Sequence, residues 1–378
     1  MKLVAVGVAI ASSIIPLQAT KSMAATAPSF EGLNVFGDSL VDSGNLFNLT
    51  SAFSPQGIPA LPPSPPYAQK LSNGPIWIDN VGQALGLSPT LSTQFLLDPN
   101  TPPPTQGISF AFAGALSSNL NVSDDDIPPL ASFLPGFQEQ VAAFATLSAV
   151  IPANPNALNV VWVGGNDYNE AFFNPASLGG LSLEQLPNSV TDNIIDGLTQ
   201  LSSSGAKKFL VVNLPSLGEV PFADFLDAQT PQDIPSILNQ LTATHNKLLS
   251  EKLNAFGQSH TDVDVIELDV ATLFADLSAN PGAFGLTNVT DPCLTNFQPG
   301  FQFEGICDNP NQFLFWDDVH PTTAAYKLVS DLALERLSPA EPSASVPEPT
   351  SLAALFMVGL AGFTLAKRRR PQVSAVRD

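Results

Sequence analysis

The sequence predicts an α/β fold: a mostly parallel sheet with helices on both faces. Three observations predict it. Short apolar runs at 33–36, 160–163, 209–213 and 263–268 are rich in β-branched and aromatic residues and too short for helices. Longer stretches with helical periodicity, at 137–149, 190–201, 237–256 and 322–337, alternate with them. Parallel strands need a crossover connection between them, and this alternation supplies one each time. Sites in such sheets form beyond the carboxyl ends of the strands.

Each run is justified by what ends it. The run at 33–36 stops at Gly37-Asp38-Ser39, where glycine permits a tight turn. The run at 160–163 stops at Gly164-Gly165-Asn166-Asp167. Ser39 and Asn166 thus both follow predicted strands. Two regions break the rhythm: 48–75, rich in Pro and Ser, and 284–313, which reads as loop. Long loops in compact domains are usually functional or disordered. These two flank the candidate site in sequence, so they read either as substrate-binding walls or a lid, or as surface elaborations.

The chain has 378 residues, of which 44% are hydrophobic, enough for one large buried core. Its net charge is −20, from 34 acidic and 14 basic residues. Only seven basic residues lie between Ala25 and Ala366, and Arg336 is the one arginine among them. A nucleic-acid binder needs a basic footprint, and this body would repel polyanions.

Both ends read as targeting segments. Lys2 precedes an apolar run to Leu17, and Ser22-Met23-Ala24 offers small residues for a signal peptidase, so 1–24 is expected to be a signal peptide. The folded body is then expected at 25–337 and a flexible Pro/Ser/Glu-rich linker at 338–349. At 350–370 an apolar stretch ends in Lys367, Arg368, Arg369 and Arg370. With the preceding Val346-Pro347-Glu348-Pro349-Thr350, this tail resembles the Pro-Glu-Pro (PEP-CTERM) sorting signal of bacterial surface proteins. The resemblance implies export and sorting machinery as partners and a surface, envelope or secreted location. The apolar stretch is near the lower length for a membrane span, so membrane contact through it is expected at least transiently. An uncleaved single-pass anchor is the simpler alternative.

The two cysteines, Cys293 and Cys307, lie in one irregular segment, and the exported setting predicts a local disulfide; two free thiols are the alternative. No cysteine–histidine spacing suggests a metal site.

The residues that carry chemistry lie near opposite ends of the body. A serine hydroxyl needs a base to take its proton. Ser39 stands on the first turn, although Asp38 and Ser39 could also simply cap a helix. Of three histidines, His245 reads as a solvated helix residue among Thr244, Asn246 and Lys247, and His260 as a loop residue. His320 follows Asp317 by three and precedes Pro321, a spacing that lets a carboxylate reach back to the imidazole. Asp317 or Asp318 could equally cap the helix expected near Thr322. Gly114, Asn166 and the Ser39 N–H are candidate donors to an oxyanion.

In combination these blocks resemble the GDSL, or SGNH, hydrolase superfamily. Phe36-Gly37-Asp38-Ser39-Leu40 runs on to Val41-Asp42-Ser43-Gly44-Asn45, Gly114 matches the second block, Asn166 the third, and Asp317 with His320 the fifth. The resemblance spans 32–337 and is nearest to the branch of plant GDSL lipases, autotransporter esterases and lecithinase-type phospholipases. It implies a three-layer α/β/α sandwich of the flavodoxin-like kind. It implies Ser39 as nucleophile, His320 as base and then acid, and Asp317 as its orienting partner. It implies an oxyanion hole of Ser39, Gly114 and Asn166, with no metal or organic cofactor. Asp318 adjoins Asp317, and both the family spacing and the three-residue geometry favour Asp317. The expected substrate is an ester of a lipid, a small molecule or a glycan. The alternative from another class is a non-catalytic surface or matrix protein on the same scaffold.

Overall fold

Six parallel strands form the central sheet: β1 (Gly32–Gly37), β2 (Thr90–Leu91), β3 (Ile108–Ser109), β4 (Ala157–Trp162), β5 (Lys208–Val212) and β6 (Asp264–Leu268), in the order β2-β3-β1-β4-β5-β6. The computed structural model describes residues 30–338 except 123–126, 230 and 299. The expected signal peptide and sorting tail fall outside these residues. Leaving aside the two-residue β2, the order is that of flavodoxin-like sheets, and the chain reverses direction across the sheet at β1. β1 pairs with β4 from Gly32↔Ala157 through Gly37↔Trp162, so both strands end level with each other.

The strands are apolar because both faces are covered. Leu33, Val35, Phe36, Val160, Leu210 and Trp162 are all buried. Asn34 and Asn159 interrupt the apolar runs, and each is satisfied. Asn34 Nδ2 donates to Asn159 Oδ1 at 3.0 Å, and Asn159 Nδ2 donates to the Lys208 carbonyl at 3.0 Å. A one-residue slip would orphan these buried amides, so they pin the register.

Ten helices flank the sheet: α1 (Asn45–Ala52), α2 (Trp77–Leu85), α3 (Ser92–Leu97), α4 (Phe137–Ser148), α5 (Gly165–Phe173), α6 (Leu186–Ser203), α7 (Pro221–Asp227), α8 (Ile234–Ser259), α9 (Val270–Ala279) and α10 (Thr323–Leu337), counted among the described residues. α4, α6 and α8 pack side by side as one layer, while α2 packs on α10, which also reaches β6. The four helices read from periodicity are present, and α6 and α8 run several residues longer at their starts. The N-cap of α10 is Thr322, whose Oγ1 accepts from the Ala325 N–H at 3.2 Å. Such a cap stabilises a helix by about 1 kcal/mol, and its presence leaves Asp317 and Asp318 free of that duty.

The two irregular regions are structured. The stretch 284–313 carries β7 (Asn288–Pro292), β8 (Leu294–Thr295) and β9 (Gly305–Ile306); β7 pairs with β10 (Phe313–Phe315) and β8 with β9. Cys293 and Cys307 are joined by a disulfide. Tyr67 and Leu71, from 48–75, share a second hydrophobic cluster with Cys293, Leu294 and Trp316. That cluster lies apart from the main core, and both irregular regions build it.

Candidate active site

The turn that carries Ser39 is made by glycine geometry and one glutamine. Gly37 closes β1 at φ +139°, and a Cβ there would collide with the Trp162 carbonyl. Gln140 of α4 grips its backbone from the side: Oε1 accepts from the Gly37 N–H at 2.8 Å and Nε2 donates to the Gly37 carbonyl at 2.9 Å. The Asp38 N–H donates to the Trp162 carbonyl at 3.2 Å, and Asp38 Oδ1 accepts from the Leu40 N–H at 3.0 Å. Ser39 is thereby held in the lining of a cavity beyond the ends of β1 and β4.

His320 comes from a loop. Asp317 Oδ1 accepts from the backbone N–H groups of Val319, at 2.9 Å, and His320, at 2.7 Å, which folds the chain into an Asx-type turn. His320 Nδ1 then lies 2.9 Å from both Asp317 oxygens, and Nε2 lies 2.8 Å from Ser39 Oγ. The serine and the imidazole meet across 281 positions of sequence. Tyr67 donates to Asp317 Oδ2 at 2.8 Å.

Charge is balanced tightly here. Burial opposes the charge on Asp317, yet the His320 imidazole and the two backbone donors outweigh it and hold its pKa below the usual carboxylate value. Burial likewise opposes protonation of His320, and Asp317, Asp318 and Asp38 together overcome it and raise its pKa above 6.5. Asp318 does not bond the imidazole; burial, with the Asp317 charge beside it, pushes its carboxyl up to about 7. Asp38 is pushed to about 7, chiefly by burial.

The candidate oxyanion donors leave neighbouring strand ends. Chain 108–112 runs beside β1, with the Phe112 N–H donating to the Gly37 carbonyl at 3.0 Å, and leads into Gly114 at φ +82°. Asn166 stands in the first turn of α5 just beyond β4 and lines the cavity with Ser39. Its Nδ2 donates to the Ala115 carbonyl at 3.0 Å, which occupies one of its two amide hydrogens. Asp167 ties the two segments together, accepting from Ser117 N–H at 2.9 Å and Ser117 Oγ at 2.7 Å. Asp42 Oδ2 accepts from the Ala113 N–H at 2.9 Å, and Asn45 Nδ2 bonds the Ser109 and Ala111 carbonyls. Asp42 and Asn45 belong to the motif block after Ser39, so sequence offered a signal for them. Tyr67, Gln140 and Ser117 stood in no motif.

One expectation is corrected, and one of two open readings is narrowed. His245 is buried rather than solvated: Nδ1 lies 2.9 Å from the Tyr168 hydroxyl, and Nε2 has no partner among the described residues. Burial, helped by Lys252, lowers its pKa to about 3, so it is neutral and takes no part at Ser39. The irregular regions do not line the cavity. Its walls are Leu40, Trp162, Leu214, Leu217, Phe222 and Phe274 among other apolar side chains, and its volume is about 40 Å³. The 214–222 connection after β5, which carries none of the motifs, supplies much of the wall. No group of His, Cys, Asp and Glu among the described residues could hold a metal ion.

Residues 33–333 match the family described as GDSL-like lipase/acylhydrolase, and the chain belongs to that family. Residues 345–370 match the PEP-CTERM protein-sorting motif. Among curated relatives, one GDSL esterase/lipase of Arabidopsis thaliana is 30% identical over 357 residues, covering 85% of this chain and 94% of its own. Another from the same plant is 26% identical over 325 residues, covering 82% and 89%. A crystal structure of a lipolytic G-D-S-L family protein from Veillonella parvula matches at 12% identity and TM-score 0.35, covering 80% of this chain and 96% of its own. The fold and the family together define an ester-hydrolysing hydrolase.

Proposed function

We propose that this protein is an exported serine esterase that cleaves carboxylic esters through an acyl-enzyme. The observation that carries the proposal is the 2.8 Å contact of His320 Nε2 with Ser39 Oγ while Asp317 grips Nδ1. In this reading His320 takes the Ser39 proton as Oγ attacks the ester carbonyl, then gives it to the departing alcohol. The tetrahedral oxyanion is received by the N–H groups of Ser39 and Gly114 and the free Asn166 amide hydrogen. Water activated by the same imidazole then releases the acid. Asp317 keeps the tautomer and stabilises the imidazolium.

The cavity's apolar walls favour a hydrocarbon acyl chain over a sugar, and its small volume favours a short chain. A series of p-nitrophenyl esters tests this. Turnover is expected to peak at short chains and to fall for long ones; a flat profile or a peak at long chains would overturn that preference. Activity should need neutral His320, so kcat/KM should fall as pH drops through a value above 6.5. The sorting motif supports export with surface delivery, and we assign 1–24 to a leader and 25–337 to the catalytic body. No helix among the described residues is long and apolar enough to cross a membrane, and the stretch at 351–366 lies outside them. We place transient membrane contact in that stretch.

A further inference from the structure

We infer that Tyr67 is a positioning residue for the general base: its hydroxyl fixes the outer oxygen of Asp317, which in turn aims His320 at Ser39. This inference rests on the esterase reading above and extends it to a residue outside every motif.

Asp317 is only 1% exposed, so water cannot serve its carboxylate freely. Oδ1 has two backbone donors, but Oδ2 has only the imidazole and Tyr67. Without the phenol, the buried anionic Oδ2 would keep the imidazole as its one donor, and the carboxylate's rotation about χ2 would be held only by the imidazole and the bonds to Oδ1. Tyr67 is itself 3% exposed, and burial together with the Asp317 and Asp318 charges raises its pKa far above the ordinary phenol value. It therefore remains a donor throughout the working pH range.

The ring is held for this purpose from two sides. It stands edge-on to Trp316, with centroids 6.2 Å apart, and edge-on to Phe301 at 5.5 Å. Phe301 lies in the loop closed by the Cys293–Cys307 disulfide. The N–H groups of Cys293 and Leu294 bond the Phe315 and Trp316 carbonyls, just before Asp317. On the other side Ser72 Oγ donates to the Pro321 carbonyl at 2.9 Å, and Asn73 Oδ1 accepts from the Thr323 N–H at 2.8 Å. The Pro-rich segment and the disulfide loop thus brace the base from both flanks of His320.

The charged and titratable groups facing this pair are Asp38 after β1, Asp317 and Asp318 on the loop, Tyr67 and, on α10, Tyr326. Of these only Tyr67 bonds Asp317 through its side chain besides His320. Removing its hydroxyl returns the shared charge to the imidazole side, which raises the proton affinity of His320.

The test is Tyr67→Phe in the full-length exported chain, which keeps the ring and its packing. We expect kcat to fall about tenfold with KM within about twofold. The acid limb of the pH profile should move up by about half a pH unit, and the His320 imidazole followed by NMR should titrate higher by the same amount. Phe301→Leu, which loosens the ring but keeps the hydroxyl, should leave the limb in place. An unchanged kcat and an unchanged His320 titration would overturn the inference, even if the variant melted lower. So would a limb moved equally by Phe301→Leu, since packing alone would then be responsible. If the wild type shows no Ser39-dependent hydrolysis, the esterase reading fails instead; the His320 titration still decides the role of Tyr67.

Discussion

The two halves of the site are held in different ways. Ser39 and Asn166 follow β1 and β4, adjacent strands with six paired positions between them. Their places are set by the backbone ladder at the middle of the sheet. Asp317 and His320 stand on a loop after the three-residue β10, outside the central sheet. Their places are set by side chains: Tyr67, Trp316, the disulfide loop and the turns at Ser72 and Asn73. A ladder fails cooperatively, whereas a braced loop fails by degrees. Damage to the sheet half should therefore cost folding, and damage to the loop half should cost turnover first.

The largest effect expected is from the reacting groups themselves. Ser39→Ala or His320→Ala should lower kcat by roughly 10⁴-fold or more, with melting temperature unchanged for Ser39→Ala, and the double variant should lose little activity beyond either single one. Additive losses, measured as kcat/KM on one ester, would mean the two do not act as a unit. Next, Gly37→Ala should unfold the protein or leave it insoluble, because a Cβ has no room beside Trp162; a variant melting like wild type would break the contrast between the halves. Removing the disulfide by Cys293→Ala with Cys307→Ala should cost about 2–3 kcal/mol in urea unfolding. It should also reduce kcat more than KM while the sheet persists by circular dichroism. A loss of fold and activity together would put both halves in one cooperative unit.

The smallest effects are electrostatic. Asp318→Asn removes a negative charge near His320, so the acid limb should move down by a few tenths of a pH unit. Stability should carry a matching signature. Asp38, Asp167 and Asp318 have folded pKa values of about 7, 6 and 7 against 3.8 in the free acid. A raised carboxyl contributes most below its unfolded value and loses that contribution as pH rises through the folded one. The raised pKa of His320 acts in the same direction, while the lowered pKa of Asp317 acts only at acid pH below 3.8. His245, lowered to about 3, opposes them between about pH 3 and 6.5 but is outnumbered, so melting temperature should be highest near pH 4, fall as pH rises to 7, and be lower by roughly 5 °C at pH 8. Thermal scans across that range check the sign, and a maximum at pH 8 would contradict it.

The sheet half was legible in sequence because its information is local. An apolar run followed by Gly-Asp-Ser or Gly-Gly-Asn states both the strand and the turn. The Asp317–His320 spacing was legible for the same reason, since both ends of that contact lie within one turn. Tyr67 was not. It sits 250 positions from Asp317 in a segment without periodicity, and only the packing of two irregular regions on each other joins them. Gln140 was hidden on an ordinary amphipathic helix, 103 positions from the glycine it grips. His245 was misread from its polar neighbours, although helical spacing already aligned it with Leu238, Leu241, Thr242 and Leu249, all buried on the same face of α8. The periodicity was the better guide there, because burial on a helix follows spacing and not adjacency.

Covalent labelling by a fluorophosphonate, mapped by peptide mass and followed against pH, bears most directly on the joining of the two halves. One adduct is expected, on Ser39, forming faster as pH rises through a value above 6.5 and abolished in His320→Ala. A folded protein that takes no label, or takes it elsewhere, or labels equally well without His320, would contradict the account.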